Sequence, residues 1–203
     1  MVRMQGGQTI DEGLRRAIRF VALLNAGYFV VEFSVALAIG SVSLFADGID
    51  FLEDVTVNFL ILAALSWSAA HRARTGMALA GFLLIPGFAA FWTAWEKLNL
   101  PVAPDPVPLT LAGAGALAVN LTCAFVLARY RSHRGSLTRA AFLSARNDAL
   151  ANIAIIAAGL VTAWLWHTAW PDLIVGLGIV IMNADAAREV WLAAREEHRT
   201  AKP

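Results

Sequence analysis

The chain has a single cysteine, Cys123, so neither a disulfide framework nor a cysteine-based zinc site can be built within it. Charge is scarce too. Asp, Glu, Lys and Arg make up 15% of the 203 residues, against roughly 25% in ordinary soluble domains. A soluble core of this size could not cover the apolar remainder. The net charge of +1 is uninformative in itself, since the placement of charge carries the information, and no nucleic-acid partner is expected. The opening MVRMQGGQTIDEGLRRAIRF lacks the short apolar core and small-residue cleavage site of a secretory signal, so the first apolar stretch reads as a retained span.

What is present is apolar. Hydrophobic residues reach 59% and the mean hydropathy is +0.63. With about 20 apolar residues needed to cross a bilayer, six spans are predicted, at roughly 17–39, 42–70, 76–98, 107–128, 138–166 and 171–193. The expected fold is an all-α membrane protein of six transmembrane helices. Its expected organisation is a cytoplasmic segment 1–16, one membrane domain 17–193 and a short cytoplasmic tail 194–203. Pro86 should kink the third span, because it removes a backbone donor and crowds the preceding turn. Pro101, Pro104, Pro106 and Pro108 should lie in the loop before the fourth, and Trp170-Pro171-Asp172 in the turn before the sixth.

Basic residues fix the orientation. The N-terminus, the link between spans two and three, the link between four and five and the C-terminal end hold fourteen of the sixteen. The opposite side offers Lys97 alone, and Arg146 lies within a span. Both termini are therefore expected on the cytoplasmic side. Trp67, Trp92, Trp95, Trp166, Trp170 and Trp191 fall near span ends, as an interfacial belt would. His71, His167 and His198 also sit near span ends, and His133 in a loop, where all four read as surface residues.

Inside the second span, SVSLFADGIDFLEDVTVNFLILAALSW, stand four acids: Asp47, Asp50, Glu53 and Asp54. A charged side chain at the bilayer centre costs at least about 2.5 kcal/mol, so such residues mark ion or proton paths. At about 100° per residue Asp47, Asp50 and Asp54 fall within about 60° of one another, with Glu53 beside them and Asn58 continuing the stripe. In the fifth span Ser144, Asp148 and Asn152 recur every four residues on one face. Two such helices can converge on a cation. The plainer alternative is that these groups only bond neighbouring helices, as lone Ser and Asn often do in membranes.

The run SVSLFADGIDFLEDV resembles the second span of the cation diffusion facilitators, six-helix exporters of divalent metals. The resemblance covers about residues 17–193. It maps one metal-binding dyad to Asp50 and Asp54 and the other, in the fifth span, to Ser144 and Asp148. Asn25 and Glu32 in LNAGYFVVEF resemble the family's first span, Asn120 its fourth and WPDLIVGLGIVI its sixth. The implied metal set is Asp50, Asp54, Asp148 and Ser144, with Asp47, Glu53, Asn147 and Asn152 as accessory polar positions. Asp47 could extend the ion path or cap a break in the backbone. Ser144 replaces the usual histidine, leaving an all-oxygen set. Oxygen suits harder ions such as manganese, although zinc accepts carboxylates, so zinc, manganese, cobalt, cadmium or iron stands as cargo, not cofactor. The chain stops about ten residues after its last span and resembles the short members without the family's cytoplasmic domain. A homodimer would then form through membrane helices.

The resemblance implies export against entering protons, with the carboxylates as proton carriers, since like charges in a low dielectric resist simultaneous ionisation. The expected location is a bacterial inner membrane, in contact with lipid. Arg146, about 160° from Ser144 and Asp148, should pair with Glu53 or Asp47, or reach toward the cytoplasm. Two rivals differ in class. One is a metal-dependent membrane phosphotransferase, whose Asp-Gly-x-x-Ala-Arg pattern fails here, because Asp47-Gly48 is followed by Ile49-Asp50-Phe51-Leu52. The other is a non-transporting subunit of the same fold. The expectation is a transporter and not an enzyme.

Overall fold

The computed structural model describes residues 2–64, 88, 91–99, 101–130, 135–182 and 188. Pro86, Trp67, Trp191, His71, His133 and His198 lie outside them, as do the side chains of residues 2–11 and 135–144. The described chain is helical: α1 (Val2–Ile39), α2 (Val42–Ala64), α3 (91–99), α4 (Pro106–Ala128), α5 (Gly135–Trp164) and α6 (Trp170–Met182). Three stretches are long and apolar enough to cross a bilayer, Glu12–Ile39, Pro106–Ala128 and Ala145–Trp164, and Trp170–Met182 is apolar but shorter. Helix α2 has the length, at 23 residues, but its four acids depart from a plain apolar span.

Helix boundaries follow local chemistry. Gly40, at φ +63°, ends α1 in the left-handed conformation that only glycine adopts without cost, and Ser41 N–H closes the end on the Ala36 carbonyl (3.1 Å). One residue on, Ser41 Oγ accepts from Leu44 N–H (3.1 Å) and caps α2. Asp105 caps α4 through Val107 N–H (3.0 Å) with Pro106 at the first helical position. Pro106 and Pro108 thus belong to a helix and not to the loop expected from the proline cluster, because a first turn has no use for their missing N–H groups. For the same reason Pro171 and Asp172 lie in the first turn of α6. At the other end of the chain α1 is continuous from Val2, so the expected cytoplasmic segment is the start of the first helix.

The bundle is apolar outside and polar within. Leu23, Val30, Leu37, Phe59, Leu111 and Phe125 are exposed, while Asn25, Glu32, Asp47, Asp54, Asn58, Asn120 and Asn152 are buried. Water would reverse that arrangement; lipid permits it. Trp92, Trp95, Trp166 and Trp170 are also exposed, as the interfacial belt requires. Two apolar clusters lie toward opposite ends. One gathers Ala36, Leu44, Ile49, Leu109, Ile155 and Ile179, the other Leu14, Ile18, Val21, Cys123, Leu127 and Ala145. Asn25 and Glu32 on α1, Asn120 on α4 and Asn152 on α5 fall between these clusters.

Candidate cation site

Helix α2 supplies three acids to the polar layer, and each meets a different neighbour. Asp54 faces α1: its Oδ2 accepts from Asn25 Nδ2 (3.0 Å), while Asn25 Oδ1 accepts from Cys123 Sγ of α4 (3.3 Å). Asn58, one turn on, donates to the Asp54 carbonyl (2.7 Å), as the stripe from Asp47 to Asn58 leads one to expect. Asp47, two turns away, is held by a second chain. Asn120 Nδ2 of α4 donates to Asn152 Oδ1 of α5 (2.9 Å), and Asn152 Nδ2 donates to Asp47 Oδ2. Beyond Asp47 lies the carboxyl of Glu32 on α1, within hydrogen-bonding reach.

Asp50 sits between these two anchored acids. Its foremost charged neighbour is Asp148 of α5, followed by Asp47, Glu53 and Asp54. Asp50 and Asp148 are partly buried, unlike the sealed Asp47. Asp148 and Asp54 make further interactions of their own. Asp50 thus has Asp148 of α5 as its foremost charged neighbour, while Asp54 is held on the α1 side by Asn25. Among the described residues no three His, Cys, Asp or Glu side chains converge on one metal-binding point. Ser144 belongs to α5, but its side chain lies outside the described residues.

The accessory positions divide. Asn152 and Asp47 bond to each other at zero exposure, Glu53 is partly buried beside Asp54, and Asn147 is exposed. Arg146 is exposed and donates to Asn147 Oδ1 (3.3 Å). Among the described residues it pairs with neither Asp47, which is buried and bonded to Asn152, nor Glu53. Glu32, Asn25 and Asn120 are legible in the sequence by resemblance alone. Their signal was a polar residue in an otherwise apolar span.

The sequence matches the cation efflux transmembrane domain over residues 18–195. The chain belongs to the cation efflux family. Among curated proteins it is similar to the cation-efflux pump FieF of Salmonella typhi, 27% identical over 190 residues, covering 86% of this chain and 63% of that protein. The same figures hold for the FieF proteins of Salmonella newport (strain SL254) and Salmonella heidelberg (strain SL476). The chain thus spans about 63% of the length of these relatives. Family members are transporters, so the phosphotransferase reading falls away.

Proposed function

We propose that the protein exports divalent metal cations in exchange for protons, by alternating access around a site made by Asp50, Asp54 and Asp148, with Ser144 completing the oxygen set. The relatives, named as cation-efflux pumps, support export. The observation that carries the site is that Asp148 of α5 is the foremost charged neighbour of Asp50 on α2, in a polar layer between two apolar clusters. Carboxylates brought together in a low dielectric repel, and a divalent cation relieves that repulsion. The apolar clusters would exclude ions from each end in turn, so passage requires that one loosen while the other holds. Protons entering from the far side would neutralise the carboxylates and release the metal.

The accompanying topology is six spans with both termini cytoplasmic, one membrane domain at 17–193, in a bacterial inner membrane, paired with a second copy through membrane helices. In this topology α2 runs from the outer face inward, placing Asp47 on the outer side of Asp50.

The test is reconstitution with the cytoplasmic face toward a metal-sensing dye, using zinc, manganese, cobalt, cadmium and iron(II), each with and without a pH gradient. Gradient-dependent flux that disappears in Asp148→Ala supports the proposal. Unchanged flux in an Asp50→Ala, Asp148→Ala double variant overturns the site. No flux for any ion from folded, inserted protein would favour the non-transporting subunit, the reading that Ser144 in place of a histidine keeps open.

A further inference from the structure

Among the described residues Glu32 is the acid with both carboxylate oxygens buried and unpartnered. It comes from α1, it has no exposed surface, and neither of its carboxylate oxygens meets a donor. A buried charge without a donor costs several kcal/mol, roughly, and does not persist unless something compensates it. The group beside it is a second carboxyl, Asp47, also fully buried. Asp47 Oδ2 accepts from Asn152, while Asp47 Oδ1 has no donor. Two neighbouring carboxyls, one on α1 and one on α2, thus have three buried acceptor oxygens without a donor.

We propose that Glu32 and Asp47 share one proton in a sealed site of their own, separate from the metal carboxylates. A hydrogen on Glu32 directed at Asp47 Oδ1 supplies the missing donor, and it gives two of the three orphaned oxygens a partner at once. A metal fits less well. Two carboxylates are fewer ligands than zinc or manganese takes, and the Asn152 N–H pointing at Asp47 Oδ2 would oppose a cation on that oxygen. An Asp47 that accepts from both an amide and a carboxylic acid is the arrangement those donors complete.

The surroundings suit a proton store. The titratable groups whose fields reach the pair are Tyr28 on α1 and Asp50 and Asp54 on α2. Tyr28 cannot fill the gap, because its hydroxyl donates to the Ala112 carbonyl (2.6 Å). Helices α5 and α4 face the pair with the amides of Asn152 and, behind it, Asn120. Asp47 lies three residues from Asp50 on the same helix face, so a proton leaving the pair has an acceptor within one turn. The use of this proton in exchange rests on the exporter reading; the site itself rests on the missing donor.

Infrared difference spectroscopy separates the two. In an Asp50→Asn, Glu53→Gln, Asp54→Asn, Asp148→Asn background, which removes the other acids of the layer, the carbonyl stretch of a protonated carboxylic acid should persist at neutral pH. It should vanish on adding Glu32→Gln, and shift in frequency on adding Asp47→Asn, which leaves the buried Glu32 acid without its carboxylate acceptor. Glutamine keeps a donor toward Asp47, so the fold, followed by circular dichroism, should hold, and the Asp47→Asn arm provides a second route. No such band in the background protein, or a band that neither substitution changes, overturns the site. In vesicles, Glu32→Gln alone in the otherwise unaltered chain should cut the stimulation of metal flux by a pH gradient at least threefold. Unchanged stimulation overturns the proton's part in exchange. If the unaltered protein moves no metal while the band behaves as expected, the exporter reading fails and the proton site stands.

Discussion

Lys97 and Asp172 form an ion pair of 2.9 Å inside the bundle, with the lysine side chain 8% exposed and the aspartate 0%. The pair closes a wider network. Asp172 Oδ1 accepts from Ser41 Oγ (2.6 Å), Ser43 Oγ (2.6 Å) and Ser43 N–H (3.1 Å), and Oδ2 accepts from Val42 N–H (2.9 Å). Lys97 also donates to the Gly40 carbonyl. One carboxylate from α6 thus serves the orphan N–H groups at the start of α2, and one ammonium from α3 serves the turn before it. That fixes the helix bearing the acids at the end nearest Asp47.

Removing Asp172 should cost more than removing Lys97. Asp172→Ala leaves a buried ammonium with one carbonyl and strips two backbone N–H groups of their acceptor, a loss of about 3–5 kcal/mol. Lys97→Met leaves Asp172 with four other donors, and about 1–3 kcal/mol is expected. The double variant should be more stable than Asp172→Ala alone, since no unpaired charge remains. Denaturation in detergent gives the order. Equal losses from the two single variants would contradict the account.

Helix α6 reaches that network because Gly176 lets it. A Cβ added there would lie 2.7 Å from Val42 Cγ1 and 2.8 Å from Ser43 N, and backbone cannot step aside as a flexible side chain can. Gly176→Ala should push α6 off the start of α2 and destabilise the protein by about 1–3 kcal/mol. Gly178→Ala, which meets nothing within 4 Å, is the control and should leave the melting temperature nearly unchanged.

Much of the polar layer was legible in sequence because its signal is local. Asp47, Asp50, Asp54 and Asn58 share a helix face by spacing alone, and Ser144, Asp148 and Asn152 recur every four residues. Which acid meets which neighbour was not legible, because helical angle carries no information about the helix across the gap. Glu32 reaching Asp47 depends on how α1 packs on α2. Lys97 shows the same limit. Charge counting placed it in an outer connection, yet it is buried on Asp172, a partner 75 residues away. The prolines and Trp170-Pro171-Asp172 mark boundaries in the sequence, but a first helical turn and a loop ask for the same residues, so the sequence does not separate the two.

Asn25 carries a second test. It orients Asp54 through a 3.0 Å bond and is itself held by Cys123, so in the proposed site it acts on the cation through Asp54 without touching it. Groups that orient metal ligands typically change affinity by about 10–100-fold when removed. Asn25→Ala should therefore weaken metal binding by about tenfold, measured by titration calorimetry in detergent. Cys123→Ala, one bond further away, should change it by less than about threefold. If the two variants weaken binding equally, Asn25 acts through packing and not through Asp54.

Ser144→His tests what the all-oxygen set does. The residue lies one turn before Asp148 on the same helix, so a longer side chain there can reach whatever Asp148 binds. Imidazole is a softer donor than a hydroxyl and a strong one for zinc and cobalt, while manganese favours oxygen. If Ser144 faces the cargo, the histidine variant should bind zinc about tenfold tighter relative to manganese, and the gain should fade as acid protonates the ring. Calorimetric titrations with each metal, at neutral and mildly acidic pH, read both effects. An unchanged zinc-to-manganese ratio would place residue 144 outside the coordination sphere, leaving Asp50, Asp54 and Asp148 to set the selectivity.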